Sequence, residues 1–232
     1  LRFEQLLSDL SARFVNIAPD QVDLEIESAL GQILKFFQVD RCGLVRVSPN
    51  DNSFRITHVA YASGIPPVPE KTDLSIKLFP WVYEKINKRQ EVVSFTTRDE
   101  LPSEAAVDKQ TYEELKIRSA LNIPIPLGTA LDYIISINAV RKNRAFPEEY
   151  NSRLRLLGEI LVNTLQLAQT RQQLEERLRF EGLISNLSAG FVNISSTEIE
   201  GEIHKWLQRI TQFFAVDRCT LGLFSEDGTQ LK

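Results

Sequence analysis

The segment SALNIPIPLGTALDYIISINAV, residues 119–140, carries the clearest strand pattern in the chain. Residues 119–127 alternate strictly, and the apolar face consists of Leu121, Ile123, Ile125 and Leu127. Residues 131–140 follow a short turn at 128–130, and their apolar face consists of Leu131, Tyr133, Ile135 and Ile137. A period of two is typical of a half-buried strand, so this segment predicts two antiparallel strands. Pro124 and Pro126 indicate a rim or bulged stretch in the first of them.

The residues on either side predict helices and further strands. Helical spacing of apolar residues indicates helices over 3–14, 22–37, 78–86 and 112–117, and strand-like runs cover 41–47, 54–61 and 91–95. A long helix is predicted to begin at Phe146, because Pro147 and two acidic residues suit a helix N-terminus. This order of elements predicts the α+β class with an antiparallel sheet.

The chain repeats itself at an offset of 177 residues. LRFE at 1–4 returns at 178–181, and VDRC at 39–42 returns at 216–219. A period this long marks a domain-sized repeat. We therefore expect a complete domain over 1–169, a connecting helix over 170–190 and the N-terminal part of a second domain over 178–232. The start at Leu1 and the lack of methionine lead us to expect a piece of a longer protein.

The second copy would lack most of the sheet that its helices cover. We expect its apolar residues to be disordered, to pack on a neighbouring chain or to swap into one. These residues are Ile199, Ile203, Leu207, Ile210 and Phe214.

Composition excludes several classes of function. The chain has 27 basic and 31 acidic residues, so it lacks the excess of positive charge that is typical of proteins that bind nucleic acid or an anionic membrane. The chain has only two cysteines and two histidines, which are too few for most metal sites or for Cys/His catalysis. They are Cys42, Cys219, His58 and His204. The two cysteines occupy equivalent repeat positions, which favours small buried residues in a strand. We expect a cytoplasmic, noncatalytic protein without a metal.

At this point the sequence resembles the GAF family of small-molecule-binding sensory domains. The resemblance covers 1–169 in full and 178–232 in part. It rests on the two-helix start, VDRCGL at 39–44, LKIRSALNIPI at 115–125, and ISIN at 135–138 running through RAFPEE at 144–149. It implies a central antiparallel sheet of five or six strands, with terminal helices on one face and a pocket under short helices and loops on the other.

The resemblance also implies a place in bacterial signal transduction. Such domains lie upstream of sensor histidine kinase, sigma-54 activator or cyclic-di-GMP modules, and a histidine kinase of a two-component system is our first choice. His204 lacks the following acid and proline of a kinase phosphoacceptor, so we expect no such role for it.

The subfamilies with defined ligands fit less well. Cyclic-nucleotide-binding members carry an Asn-Lys signature, whereas Asn138 is followed by alanine. Bilin-binding members need a cysteine beside a histidine, and Cys42 lies far in sequence from His58. We therefore expect no cofactor, with bilin and cyclic nucleotide disfavoured and an unknown small ligand left open.

Polar residues on the last two strands form the first candidate site. Asn122, Ser136 and Asn138 share a face that such a fold covers, and buried amides and hydroxyls need partners. A ligand, water or loop backbone could supply them. Trp81 and His58 are further pocket candidates, with core packing for Trp81 and a satisfied sheet position for His58 as the alternatives.

The long helix carries a heptad pattern. One position holds Leu157, Thr164, Arg171 and Leu178, and another holds Ile160, Leu167 and Leu174. This pattern predicts a parallel coiled-coil homodimer that couples the domain to later ones. The alternative is that the first half packs on the sheet and the second is a solvated linker. A ligand-free scaffold is the rival function, and an enzyme of the same fold is disfavoured because no nucleophile–base pair is evident.

Overall fold

The computed structural model describes residues 2–15, 17–48, 53–68, 73–127, 130–191, 195 and 197–222. The predicted turns at 49–52 and 128–129, and the side chains at 127 and 130–132, lie outside what it describes. The chain divides into two compact units, Leu1–Arg171 and Gln172–Lys232. Within the described ranges, we find no helix with the length and hydrophobicity needed to cross a bilayer.

The first unit contains a six-stranded antiparallel sheet. Its spatial order is β3-β2-β1-β6-β5-β4. The strands are β1 (Arg41–Ser48), β2 (Ser53–Tyr61), β3 (Asp73–Ser75), β4 (Val93–Phe95), β5 (Ser119–Leu127) and β6 (Ala130–Ala139). The α+β class with an antiparallel sheet is confirmed. The edge strand β3 was not predicted, because three residues are too few to show a period of two.

Three helices cover one face of this sheet: α1 (Arg2–Phe14), α2 (Val22–Phe37) and the first part of α5 (Asn151–Phe191). They bury the apolar face that the alternation predicted, including Leu121, Ile123, Ile125, Ile135 and Ile137. The expected start of α5 at Phe146 is wrong. Pro147 has an extended ψ of 129° and precedes a single 3-10 turn, so the α-helix begins only at Asn151.

Short helices cover the opposite face. They are α3 (Pro80–Tyr83), a π-type turn over Glu84–Lys88, and α4 (Ala106–Glu114). The prediction that α4 starts near 112 is wrong by six residues. Asp108 and Thr111 lie on its buried side, and polar residues there hide the helical period from a hydrophobicity pattern. The predicted layout of terminal helices on one face and short helices on the other is confirmed.

The second unit contains the end of α5 and the helix α6 (Ile199–Phe213). Phe180 contacts the rings of Phe213 and Phe214 at 6.0 and 6.3 Å. In the first unit, 177 residues earlier, Phe3 contacts Phe36 and Phe37 at 5.0 and 6.0 Å. The repeat in sequence is therefore also a repeat of one aromatic packing arrangement.

Disorder of the second copy, packing on a neighbouring chain and swapping into one all stay predictions. Ile203, Leu207 and Ile210 are half-buried on α6, whereas Ile199 and Phe214 are exposed. Cys219 is half-buried and lies outside any strand, so only Cys42 matches the prediction of a buried strand cysteine.

Candidate functional site

A cavity of about 110 Å³ lies on the sheet face covered by α3 and α4. Residues of β1, β2, β5 and β6 form its floor. The register places Arg41 opposite Asn138, and Val45 opposite Ile134, so one end is polar and the other apolar. The apolar walls include Phe54, Ile56, Val59, Leu74, Phe79, Val82, Ile86 and Ile134. Such a lining, with few polar groups at one end, is typical of small-molecule sites.

The predicted polar residues lie together in this cavity and form a chain of hydrogen bonds. Asn138 Nδ2 donates to Ser136 Oγ at 3.1 Å, and Ser136 Oγ donates to Asn122 Oδ1 at 2.8 Å. Asn122 Nδ2 then donates to the hydroxyl of Tyr112 at 3.2 Å. Burial raises the pKa of the Tyr112 phenol, which keeps it neutral. Asn138 Oδ1 is buried and has no hydrogen-bond partner among the described residues, so one acceptor at the polar end is unsatisfied.

His58 does not face the cavity. Its ring lies on the helix side of the sheet, with Nε2 3.1 Å from Asp23 Oδ1 and Nδ1 3.0 Å from Thr57 Oγ1. The cause is a β-bulge: Leu44 pairs with His58 but Val45 pairs with Ile56, which leaves Thr57 as an extra residue. The bulge inverts the faces, so Ile56 lines the cavity and His58 points away from it. The prediction of a pocket histidine is wrong, and the satisfied sheet position is the correct alternative.

Trp81 does not line the cavity either. It is half-buried on α3, and Lys85 Nζ lies 5.7 Å from its ring centre. Phe79, Val82 and Ile86 provide the wall instead. The backbone is not helical at Phe79, where φ is −137° and ψ is 54°. A single helical period applied to residues 78–86 therefore could not identify the side chains that face the cavity.

Asp108 holds α3 in place over the cavity. Its carboxylate is fully buried, and it accepts hydrogen bonds from the backbone N–H groups of Trp81 at 3.1 Å and Val82 at 2.9 Å. Thr111 adds a bond from its hydroxyl to the carbonyl of Leu78 at 2.7 Å. Burial raises the pKa of the Asp108 carboxyl. The sequence analysis missed both residues, because charged and polar side chains on a short helix are usually exposed.

Arg41 lines the polar end of the cavity and was also missed as a site residue. The alternation of inward and outward residues along β1 could have identified Arg41 as a cavity residue. Cys42 and Leu44 face the helix core, so Arg41, Gly43 and Val45 face the other side. Cys42 is fully buried in that helix core, and burial raises the pKa of its thiol, which disfavours a reactive thiolate. Across the described residues, no group of three His, Cys, Asp or Glu side chains could hold a metal ion.

The heptad residues of α5 fall into two groups. Leu157 is fully buried against the sheet, Ile160 and Thr164 are half-buried, and the Thr164 hydroxyl donates to the carbonyl of Ile160 at 2.8 Å. The prediction that Leu157 belongs to a dimer seam is wrong, because its own domain buries it. The residues Leu167, Arg171, Leu174 and Leu178 are exposed.

Comparisons with known proteins identify the architecture. No family model matches the sequence, and no curated protein is similar to it. The fold is similar to the phycoerythrobilin-bound GAF domain of a cyanobacterial phytochrome, with 12% identity, a TM-score of 0.59, and 73% of this chain and 97% of that one covered. This chain has a GAF fold. A phycocyanobilin-bound GAF domain of a cyanobacterial phytochrome matches with 14% identity and a TM-score of 0.57, over 73% of this chain and 96% of that one.

A longer match extends beyond the first GAF unit. A bacteriophytochrome from R. palustris is 12% identical with a TM-score of 0.70, over 91% of this chain and 47% of that one. The chain thus spans about half the length of that phytochrome. Two of these neighbours are GAF domains of cyanobacterial phytochromes with a bilin bound.

These neighbours correct the expectation about cofactors. The sequence analysis disfavoured bilins because no cysteine lies beside a histidine, and that exclusion is wrong: GAF domains with phycoerythrobilin and phycocyanobilin bound are among the structures that this fold matches. The missing Cys–His pair is an observation about positions in the sequence. It carries no information about the shape of the cavity beneath α3 and α4.

Proposed function

We propose that the first unit is a noncatalytic sensory GAF domain that binds a small molecule in the cavity and couples its occupancy to α5. The observation that carries the proposal is the unpartnered Asn138 Oδ1 at the polar end of an otherwise apolar cavity. A buried acceptor without a partner is unfavourable, and a bound ligand that donates a hydrogen bond would satisfy it.

β6 supplies the physical link between cavity and helix. Its residues Ile134, Ser136 and Asn138 line the cavity, while Ile135 and Ile137 belong to the core on which α5 packs. A ligand that displaces β6 therefore acts on the surface that seats α5. The ligand can shift the equilibrium between two arrangements of α5 only if it binds one arrangement more tightly than the other.

Filling the cavity should abolish ligand binding. We expect Val59→Phe to project a ring into the space and to lower the occupancy of the purified full chain at least about tenfold. Native mass spectrometry measures that occupancy as a bound mass. The control is Val107→Phe, because Val107 is exposed on α4 outside the cavity, and it should keep the bound mass. A wild-type chain without any bound mass would support the rival function, a ligand-free scaffold.

A bilin is the second candidate ligand, and the likeness to bilin-bound GAF domains favours it. The apolar walls fit one pyrrole ring and the unpartnered Asn138 Oδ1 fits a pyrrole N–H, so the other rings of a bilin would extend beyond the cavity of about 110 Å³. The described lining residues include neither cysteine nor histidine, so they would hold a bilin without a bond to a described thiol. The visible absorption spectrum after addition of biliverdin tests this candidate, and a spectrum equal to that of free biliverdin would reject it.

The output of the module is a further part of the proposal. We propose a bacterial cytoplasmic signalling protein in which α5 leads to a histidine kinase. A sigma-54 activator and a cyclic-di-GMP enzyme are the alternatives. The match to a bacteriophytochrome over 91% of this chain, beyond a single GAF domain, supports a multidomain sensor.

We also propose that the chain is a homodimer through α5. Leu167 and Leu174 occupy the same heptad position and are exposed by 52% and 56%, an unfavourable state for leucines seven residues apart on one helix. We expect the double variant Leu167→Glu and Leu174→Glu to convert a dimer into a monomer in sedimentation velocity. The control pair Gln166→Glu and Gln173→Glu adds the same charge at exposed neighbouring positions and should leave the dimer intact. A wild-type monomer, or a dimer in the double variant, would reject the seam.

A further inference from the structure

The guanidinium of Arg41 is a buried charge that no described carboxylate contacts directly. The residue is only 8% exposed, and Nη1 donates to the carbonyl of Leu115 at 3.3 Å. Nε is buried and has no partner, and no carboxylate forms an ion pair with Arg41, both within the described part of the chain. Arg41 lines the polar end of the cavity, which is the site proposed for the ligand.

The nearest acid in sequence is already engaged elsewhere. The Asp40 carboxylate accepts hydrogen bonds from the backbone N–H groups of Val140 at 2.7 Å and Arg141 at 2.9 Å. It also forms an ion pair with the Arg141 side chain at 3.5 Å. Asp40 therefore ties the start of β1 to the end of β6, and it favours the charge of Arg41 only through space, without a direct ion pair.

A buried cation with an open donor favours an anionic partner. Burial of an unpaired charge is unfavourable, and a planar guanidinium matches the geometry of a carboxylate. Burial lowers the pKa of Arg41, yet arginine stays protonated in proteins, so the charge persists. The free protein already bears the unfavourable burial of this cation, and an anion that enters the cavity would relieve it.

The rest of the cavity limits the size and polarity of that anion. Phe54, Phe79 and Ile134 form part of a continuous apolar wall beyond Val45. A volume of about 110 Å³ is close to the ~150 Å³ of an apolar protein cavity that accommodates benzene. The space therefore suits a single ring or a short aliphatic group with one charged end.

We propose that the ligand is a small, largely apolar monocarboxylate whose carboxylate pairs with the Arg41 guanidinium and which carries one further group that donates to Asn138 Oδ1. This inference rests on the proposed function, because it names the chemical class bound at the same site. The second repeat contains the same tetrapeptide, with Arg218 at the position of Arg41.

The test compares two probes of nearly equal shape, benzoate and nitrobenzene, by titration calorimetry on the full chain. Only benzoate is charged, and a hydrogen bond to a charged group contributes about 1.5–3 kcal/mol. We therefore expect the wild type to bind benzoate about 10- to 100-fold more tightly than nitrobenzene. Arg41→Met should remove this preference. Arg46→Met should preserve it, because Arg46 lies exposed on the same strand.

Equal affinity of the wild type for both probes, or no binding of either, would overturn the inference without the need for any variant. An unchanged preference in Arg41→Met would also overturn it. Circular dichroism confirms that each variant is folded, and the wild-type comparison of the probes stands alone if Arg41→Met does not fold. A neutral bound molecule that Val59→Phe displaces would leave the proposed function intact and reject only the carboxylate.

Discussion

Replacing Gly158 by valine is expected to destabilise the first unit by about 3 kcal/mol. Gly158 lies buried on α5 where the helix crosses β5 and β6. A Cβ atom there would overlap Ile125 Cδ1 and would lie 2.8 Å from both Ile125 Cγ1 and Ile135 Cδ1. These isoleucines are fully buried, so their ends have little room to move. Urea denaturation should show a lower midpoint with an unchanged slope.

The matched control is Gly182→Val on the same helix. No atom lies within 4 Å of the Cβ that would be added at Gly182. Valine has a better helix propensity than glycine, so the free energy of unfolding should change by less than about 0.5 kcal/mol. Equal destabilisation by the two substitutions would show that close helix–sheet packing is not the cause.

Removing the Asp108 carboxylate should have a comparable effect, about 3 kcal/mol for Asp108→Ala. The substitution leaves the N–H groups of Trp81 and Val82 without their acceptor in a buried place. The segment carrying Phe79, Val82 and Ile86 should then detach from the cavity. Thermal denaturation measures the loss, and Asp99→Ala is the control, because Asp99 bonds only an exposed Lys109. A similar loss in the control would contradict this role.

Asp108 should also contribute a pH dependence of stability. The pKa of its carboxyl in the folded state is raised above the usual aspartate value of about 3.9, mainly by burial, so the folded state binds the proton more tightly than the unfolded state. The contribution of Asp108 to the free energy of unfolding is therefore full below its pKa in the unfolded state. It is lost as the pH rises through its pKa in the folded state. Asp108→Asn removes this titration, so the advantage of the wild type over Asp108→Asn should shrink as pH rises from about 4. A constant difference between pH 3 and 7 would contradict it.

Much of this architecture could be predicted from the sequence, and the reason lies in β5 and β6. Each strand buries one apolar face over 121–125 and 133–137, so the period of two holds there and identifies both the helix side and the cavity side. Asn122, Ser136 and Asn138 could be grouped on that basis alone. The hydrogen bonds among these three residues could not be predicted, because those bonds depend on the register between the strands.

The errors have local physical causes. His58 was assigned to the wrong face because one inserted residue, Thr57, inverts the alternation, and an insertion leaves no mark in hydrophobicity. Trp81 was misplaced because the backbone breaks at Phe79. Arg41 and Asp108 were missed because their burial depends on contacts with residues 74 and 26 positions away. No local pattern reports such contacts.

The chain of side-chain hydrogen bonds in the cavity has a direction. Every donor points the same way, from Asn138 through Ser136 and Asn122 to Tyr112. Bonds aligned in this way polarise one another, by about 10–30% per bond. A ligand that donates to Asn138 Oδ1 would strengthen each later bond, the last of which ends on α4, the helix that also carries Asp108. A ligand at Asn138 would thereby strengthen the hydrogen bond to Tyr112 on α4 without contacting Tyr112.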